Sequence, residues 1–150
     1  MTGLSFNTSN TSENKIIKND GFFPDVSTQQ IRESVRLDGS VSDPRLKDAI
    51  TTAILEVNKQ LLSLKDKASE LSALATTEID GRPDTELLYF RAVYSAVAAD
   101  INEKYANYDS THEGQKKLSE LEPTVNDHRR NLRWAIRDLL GVNRCTVDLI

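Results

Sequence analysis

Two histidines are the residues of this sequence best suited to acid–base chemistry or metal binding. His112 lies in a polar stretch beside Glu113, and His128 falls on the apolar side of a predicted helix. The two are sixteen residues apart, with neither an HExxH pattern nor a cysteine partner at zinc-site spacing. A lone histidine on an apolar helix face is more often a core or edge residue than a ligand. We therefore expect no metal site and no cofactor.

The remaining candidates for catalysis are equally weak. Cys145 is the only thiol among the 150 residues, so it cannot form an internal disulfide or complete a zinc site. It lies in an apolar segment with no histidine near it, which favours a structural thiol. The sequence has no phosphate-binding glycine loop and no GxSxG motif. Its carboxylates alternate with Lys and Arg, as on solvated helix faces. The sequence therefore predicts that the protein is not an enzyme.

Four arginines between residues 129 and 137 form the one charge cluster that indicates a binding surface. Arg130, Arg133 and Arg137 share one helix face at spacings of i, i+3 and i+7, with Trp134 among them. Two interpretations stay open at this point. The arginines are either a solvated face paired with nearby aspartates, or a stripe that meets DNA phosphates or an acidic partner. In a ring of copies, such a stripe would repeat around the axis.

Composition and charge limit the class of protein. The net charge is −4 and the pI is about 5.2, which excludes nucleic-acid binding through a basic overall field. No stretch approaches the roughly 18 apolar residues of a membrane span. The N-terminus lacks the apolar region of a secretory signal. We expect a soluble protein that is made in a cytoplasm and contacts no membrane.

The N-terminal residues differ in composition from the rest of the chain. Half of residues 1–20 are Ser, Thr or Asn, which bury too little apolar surface to offset the entropy of ordering. They are predicted to form a flexible polar arm, either inert or ordered by a neighbour. Residues 21–150 are predicted to form a single helical domain. At its start, Phe22 and Phe23, followed by Pro24, either cap the core of their own domain or anchor the arm to a neighbouring subunit.

Two helices are predicted in the first half of this domain. The first begins at Ser27, which can form a capping box with Gln30. The second begins with Asp43 as the N-cap and Pro44 at the first helical position, where the missing N–H costs nothing. Its apolar residues recur at steps of three and four from 46 to 71. This spacing predicts a helix of about 28 residues, or about 42 Å.

Two further helices are predicted after the turn Asp80–Pro83. The third contains apolar residues from Leu87 to Tyr105 over a wide arc, so we expect it to be central. The fourth contains apolar residues from Leu118 to Leu140. Pro123 falls inside it, which predicts either a kink or two helices that meet there. Gly141 is predicted to end this helix at the C′ position.

The last residues of the sequence read as an extended segment. They are β-branched and apolar, and Val147, Leu149 and Ile150 would be costly to leave in water. We expect them to dock onto a partner. The elements together predict an all-α fold: an antiparallel bundle of long helices with a disordered N-terminal arm and an extended C-terminal tail.

Several short segments, in this order and at this spacing, carry a resemblance to a known family. They are Ile17-Lys18-Asn19, Phe22-Phe23-Pro24-Asp25, Arg36-Leu37, Val41, Arg45-Leu46, Ala49-Ile50, Tyr89, Arg91-Ala92-Val93, Tyr105, Lys116-Lys117, Arg133-Trp134-Ala135 and Arg144-Cys145. No single segment is specific, but the ordered set is. Over about residues 15 to 150 the sequence resembles the phage head completion protein family (gpL) of temperate phages with contractile tails.

The resemblance implies a structural protein of the virion, made in the bacterial host cytoplasm and located at the head–tail neck. It implies docking on the portal vertex after DNA packaging, sealing of the head and a platform for tail attachment. The implied partners are the portal ring, neighbouring copies in a ring that matches the twelve-fold portal, tail or neck proteins, and packaged double-stranded DNA. The alternative is a small helical DNA-binding or adaptor protein, which the acidic pI and the absence of helix-turn-helix spacing disfavour.

The family supplies no residue-level map of these contacts, so the candidate residues are hypotheses from chemistry. The partner-binding candidates are Phe22, Phe23, Pro24, Val147, Leu149 and Ile150. The channel-facing or DNA-facing candidates are Arg130, Arg133 and Arg137.

Overall fold

A computed structural model describes residues 13–35, 37, 41–108 and 112–144, without the side chains of 105–108 and 112–123. The elements in chain order are β1 (Ile16–Ile17), β2 (Val26–Ser27), α1 (Thr28–Val35), α2 (Asp43–Gln60), β3 (Glu78–Ile79), β4 (Arg82–Pro83), α3 (Asp84–Tyr108) and α4 (His112–Leu140). Two 3₁₀ turns, Leu62–Asp66 and Leu71–Leu74, connect α2 to β3. None of the helices in these ranges is long and apolar enough to cross a membrane.

The predicted fold class, an all-α antiparallel bundle of long helices, is wrong. The described residues contain two small antiparallel sheets, β1–β2 and β3–β4. Helix α1 has 8 residues and α2 has 18, so only α3 and α4, with 25 and 29, are long. The fold remains mostly helical, with α3 packed along α4. The arm and tail of the prediction fall largely on residues 1–12 and 145–150, which lie outside the described residues.

The second helix is shorter than predicted because its apolar spacing continues into non-helical turns. Helix α2 ends at Gln60, and Leu61 caps it. After Leu61, each of the two 3₁₀ turns contributes one buried leucine to the core: Leu64 from the first and Leu71 from the second. Steps of three and four residues place side chains on one face in either geometry, since a 3₁₀ helix has three residues per turn. The spacing therefore identified the buried residues correctly and the extent of the helix wrongly.

The helix ends follow local capping chemistry. The Ser27 hydroxyl accepts the N–H of Gln30 at 3.3 Å, which confirms Ser27 as the cap of α1. Helix α2 begins one residue earlier than predicted, with Ser42 as the N-cap residue and Pro44 in the first turn. At the other end of the chain, Gly141 has φ +69° and confirms the predicted end of α4. The N–H groups of Gly141 and Val142 donate to carbonyls of the last helical turn, a Schellman arrangement.

Helix α4 is continuous from His112 to Leu140 and includes Pro123. The alternative of two helices that meet at this proline is therefore wrong. Helix α4 buries Leu132, Ala135 and Ile136 in the core. Leu132 and Ile136 belong to the apolar face that the spacing predicted, and Ala135 adds to it.

The N-terminal strand lies against the rest of the chain. Strand β1 pairs with β2 in the register Ile16 with Ser27 and Ile17 with Val26. The N–H of Lys15 donates to the Thr28 hydroxyl at 3.0 Å. Residues 13–20 of the predicted arm therefore contain one strand of a sheet. The division of the chain into an arm, 1–20, and a domain, 21–150, stays a prediction.

A two-residue turn joins β3 to β4. Asp80 has φ 53° and Gly81 has φ 70°. Positive φ at both central residues defines a type I′ turn, which matches the twist of an antiparallel pair and favours Asp-Gly. The pairs Ile79–Arg82 and Glu78–Pro83 flank it. We call residues 78–83 the acidic hairpin. It directly precedes α3.

We expect Gly81→Ala to lower the free energy of unfolding by about 1 kcal/mol, because a Cβ disfavours positive φ. Chemical denaturation followed by far-UV circular dichroism measures this. Asp80→Asn is the matched control, since Asn also tolerates positive φ, and it should leave stability nearly unchanged. Equal stability of Gly81→Ala and the parent chain would contradict the turn assignment.

The core lies between α2, α3 and the N-terminal segment, and α4 completes it. Helix α3 is central, as predicted. The largest fully buried side chains come from the N-terminal segment, α1, α2, α3 and the turns after α2: Val26, Ile31, Leu46, Ile50, Val57, Leu61, Leu71, Tyr89, Val93 and Val97.

Candidate docking surfaces

The two adjacent phenylalanines lie in the core of their own chain. Phe22 is 9% exposed and Phe23 is 2% exposed. Their ring centroids are 4.8 Å apart in an edge-to-face arrangement, and the Phe23 ring stacks on Tyr89 at 5.1 Å. This is one of the two interpretations that the sequence left open. A contact of this segment with a neighbour stays a prediction, with the half-buried Pro24 its most accessible residue.

A carboxylate fixes the turn that carries these rings. Asp20 Oδ1 accepts the backbone N–H groups of Phe22 and Phe23 at 3.1 and 3.2 Å. Its other oxygen accepts a hydrogen bond from Lys65. Partial burial acts to raise the pKa of Asp20, but the bonds from Lys65 and the two amides outweigh it and lower the pKa. The carboxylate is thus held ionised between two separate segments.

A closed set of hydrogen bonds joins the N-terminal segment to α2 and α3. The Tyr89 hydroxyl donates to Asn58 Oδ1 at 2.7 Å and accepts from Asn19 Nδ2 at 2.8 Å. Asn58 Nδ2 donates to Asn19 Oδ1 at 2.9 Å. Tyr89 is fully buried, and this burial raises the pKa of its hydroxyl. No local pattern predicts this network, because Tyr89 is 31 residues from Asn58 and 70 residues from Asn19.

Two arginines enclose the single tryptophan on α4. The Arg130 guanidinium lies 4.9 Å from the Trp134 ring and that of Arg144 lies 4.6 Å from it, within the range of a cation–π contact. Arg130 also pairs with Asp127 at 3.0 Å, and Arg144 with Asp138 at 2.7 Å. The charge of Arg130 is therefore partly balanced by its own helix.

Arg130, Arg133 and Arg137 form the arginine stripe, and the surroundings of Arg133 and Arg137 differ from those of Arg130. Arg137 donates two hydrogen bonds to the Asn143 carbonyl, at 3.1 and 2.9 Å, and so ties down the chain after α4. Arg133 is exposed, and among the described residues it makes no ion pair. Both interpretations of the stripe stay open, since Arg130 and Arg137 are engaged locally while Arg133 faces solvent.

His128 lies half-buried at a groove between α1, α3 and α4. The groove has a volume of about 530 Å³, and Arg91, Tyr94 and Asn131 also line it. The part of the chain that the structure describes contains no group of three or more side chains that suits a metal ion. His112 and Cys145 cannot be placed, since the side chain of the former and all of the latter lie outside the described residues.

Exposed apolar residues form surfaces that the sequence analysis missed. Leu55 is 67% exposed, Leu62 is 60% exposed and Ile79 is 62% exposed. Leu55 and Leu62 are seven residues apart. They lie outside the buried face, which includes Ile50, Ile54 and Val57. That spacing was the available signal for a second apolar face.

The sequence model of the phage head completion protein (GPL) family matches residues 17–150. This chain belongs to the phage head completion protein family. The match covers almost the whole chain, and it confirms the resemblance that the ordered short segments indicated.

A relative in the head completion family agrees with this assignment. The head completion/stabilization protein of Escherichia phage P2 is 31% identical over 140 residues, which are 90% of this chain and 83% of the relative. No solved structure matches the chain significantly. Membership makes the protein a structural component of the phage head, so its exposed apolar and charged surfaces are candidates for contacts within the virion.

Proposed function

We propose that this head completion protein docks on the portal vertex after DNA packaging, seals the head and forms the platform for tail attachment. Family membership over residues 17–150 is the observation that carries the proposal. The named role of the P2 relative, head completion and stabilization, supports it. The structure adds several exposed apolar side chains, which suit contacts within the virion.

The proposed assembly is a ring of copies on the portal, with the symmetry of the portal. Large exposed apolar side chains on a small protein are typical of interaction surfaces. In the ring, these surfaces would be shared between neighbouring copies, the portal and the tail or neck proteins. The proposed partner-binding residues beyond the described ranges are Val147, Leu149 and Ile150, with Phe22, Phe23 and Pro24 as the N-terminal candidates.

Packaged heads that lack the protein test this role. We expect such heads to lose DNA on storage and to accept no tails, because both events need the completed vertex. Adding the purified chain should restore DNA retention and tail joining together. Stable, tail-competent heads without the protein would contradict the proposal.

We expect replacement of Arg130, Arg133 and Arg137 by Gln to weaken DNA retention in completed heads. The stripe would repeat in every copy, so each substitution removes a ring of cations that contact phosphates. Nuclease-protected DNA per head, measured over a range of salt concentrations, quantifies the effect.

A control for this triple variant removes the same charge elsewhere. The exposed lysines for this purpose are Lys15, Lys47 and Lys67, each replaced by Gln. This control should retain DNA normally. Equal retention by both triple variants and the parent chain would show that the stripe is only a solvated face.

A further inference from the structure

The outer face of α2 carries an apolar groove. We define the α2 groove by Ile17, Ile54, Leu55 and Leu62 together with Lys18, Lys59 and Lys65 at its margins; its volume is about 500 Å³. Leu55 and Leu62 are the most exposed of its apolar residues. The groove therefore offers an apolar floor that no described segment of the chain covers.

The margin of the α2 groove is positively charged on an acidic chain. Lys18 pairs with Asp25 and Lys65 pairs with Asp20, so these two lysines are balanced. Lys59 is exposed and makes no ion pair within the described ranges. Lys59 thus gives the groove a net positive charge, while the whole chain has −4.

The acidic hairpin has the complementary character. Ile79, beside its two-residue turn, is 62% exposed. Glu78 and Asp80 flank Ile79, and both are exposed. The Arg82 guanidinium lies 5.3 Å from the Phe90 ring and so is held against α3. The hairpin therefore carries one exposed apolar side chain with a carboxylate before and after it in the sequence. With two carboxylates and the one guanidinium of Arg82, its side chains have a net negative charge.

The hairpin and the groove are separate surfaces of one chain. The groove is lined by residues of the ranges 17–20 and 51–65, and no hairpin residue is among them. The type I′ turn holds Ile79 in a defined position, so its insertion into a partner carries a small entropic cost. The two surfaces suit a head-to-tail contact, in which one patch of a copy meets a different patch of the next.

We propose that the acidic hairpin of one copy inserts Ile79 into the α2 groove of the next copy. Ile79 would contact Leu55 and Leu62, while Glu78 and Asp80 would face Lys59. A heterologous contact of this kind generates a closed ring when its rotation closes. The inference rests on the proposed function, to which it adds the interface between neighbouring copies.

This interface is weak between free copies and forms when the portal gathers them. A single hairpin tip covers little surface, and small interfaces are typical of transient contacts. Copies that are held side by side on a portal have a high effective concentration, so the same contact then becomes occupied. The test is therefore made on completed heads.

Cysteine cross-linking on heads tests the contact directly. In a Cys145→Ser background, a chain with both Ile79→Cys and Leu55→Cys is added to packaged heads and treated with a short bismaleimide. We expect a ladder of covalent oligomers, because each copy carries both partners of the contact. The two single-cysteine chains should give no ladder, and mixing them should give dimers only.

The control for the cross-linking moves one cysteine from the hairpin to another exposed apolar position. A chain with Val142→Cys and Leu55→Cys should give no ladder. Absence of a ladder from the Ile79→Cys/Leu55→Cys chain on heads that it completes would overturn the interface. So would dimers of the Ile79→Cys chain alone, since they indicate a symmetric contact. Failure of the unsubstituted chain to complete heads would instead overturn the proposed function.

A charge reversal gives a second, independent measurement. Lys59→Glu should reduce the number of copies per head about tenfold at limiting protein, the effect of losing one favourable charge contact and gaining a repulsive one. Adding Glu78→Lys to the same chain should restore occupancy. Lys47→Glu, which makes the same charge reversal on α2 outside the groove, should change nothing. No loss with Lys59→Glu, or a loss without rescue, would overturn the proposed charge pairing.

Discussion

Replacing Tyr89 by Ala should lower the free energy of unfolding by about 3–5 kcal/mol, the usual range for removing a large buried aromatic side chain. Tyr89 is fully buried, stacks on Phe23 and completes the hydrogen-bonded set with Asn19 and Asn58. Its loss would therefore separate the N-terminal segment from both α2 and α3. Urea denaturation followed by circular dichroism and by tryptophan fluorescence measures the change.

Tyr89→Phe isolates the contribution of the hydroxyl from that of the ring. We expect a loss of about 1–3 kcal/mol, because Asn19 Nδ2 and Asn58 Oδ1 each lose one hydrogen-bond partner at a partly buried site. Tyr94→Phe is the matched control, since Tyr94 is only half-buried and outside the set. Equal stability of Tyr89→Phe and Tyr94→Phe would contradict the structural role of the network.

Deleting residues 146–150 should abolish attachment of the protein to heads while leaving its helix content unchanged. The deleted residues include Val147, Leu149 and Ile150 and follow α4, which ends at Leu140. We expect the helices to fold without them. Apolar residues of this kind are costly to expose, and docking on the portal or a neighbour would bury them. Sedimentation of heads with bound protein, alongside circular dichroism of the free protein, measures both effects.

The control for this deletion keeps the length of the chain. Replacing Val147, Leu149 and Ile150 by Ser should also prevent attachment, because the apolar surface is lost while the backbone remains. Normal attachment of either variant would show that these residues are not part of the docking surface.

Helix caps and helix ends were predictable from the sequence, because they depend on residues that are close together in the chain. The Ser27 hydroxyl caps α1 because a cap needs only an amide three residues later. Gly141 ends α4 at positive φ for the same local reason. The central position of α3 followed from its wide apolar arc. These features need no knowledge of distant contacts.

The features that escaped prediction depend on distant segments or on very short elements. Strands β1 and β2 have two residues each, too few for an alternating pattern, so the fold class was predicted without its sheets. The 3₁₀ turns after α2 keep a helical spacing of buried leucines, which hid the end of the helix.

The candidate sites were predictable in part. The sequence located the arginine stripe, but the sandwich of Trp134 between Arg130 and Arg144 needed the structure, because Arg144 follows the end of the helix. Phe22 and Phe23 were recognised as unusual, yet only the structure shows that their rings lie in the core. The α2 groove required knowing which face of α2 the core leaves uncovered.

Binding of the purified chain to the portal ring of the same phage or prophage, measured by native mass spectrometry, tests the central claim most directly. The proposed function predicts many copies per portal, with a number that matches the symmetry of the portal. No binding at micromolar concentration would contradict docking on the portal vertex.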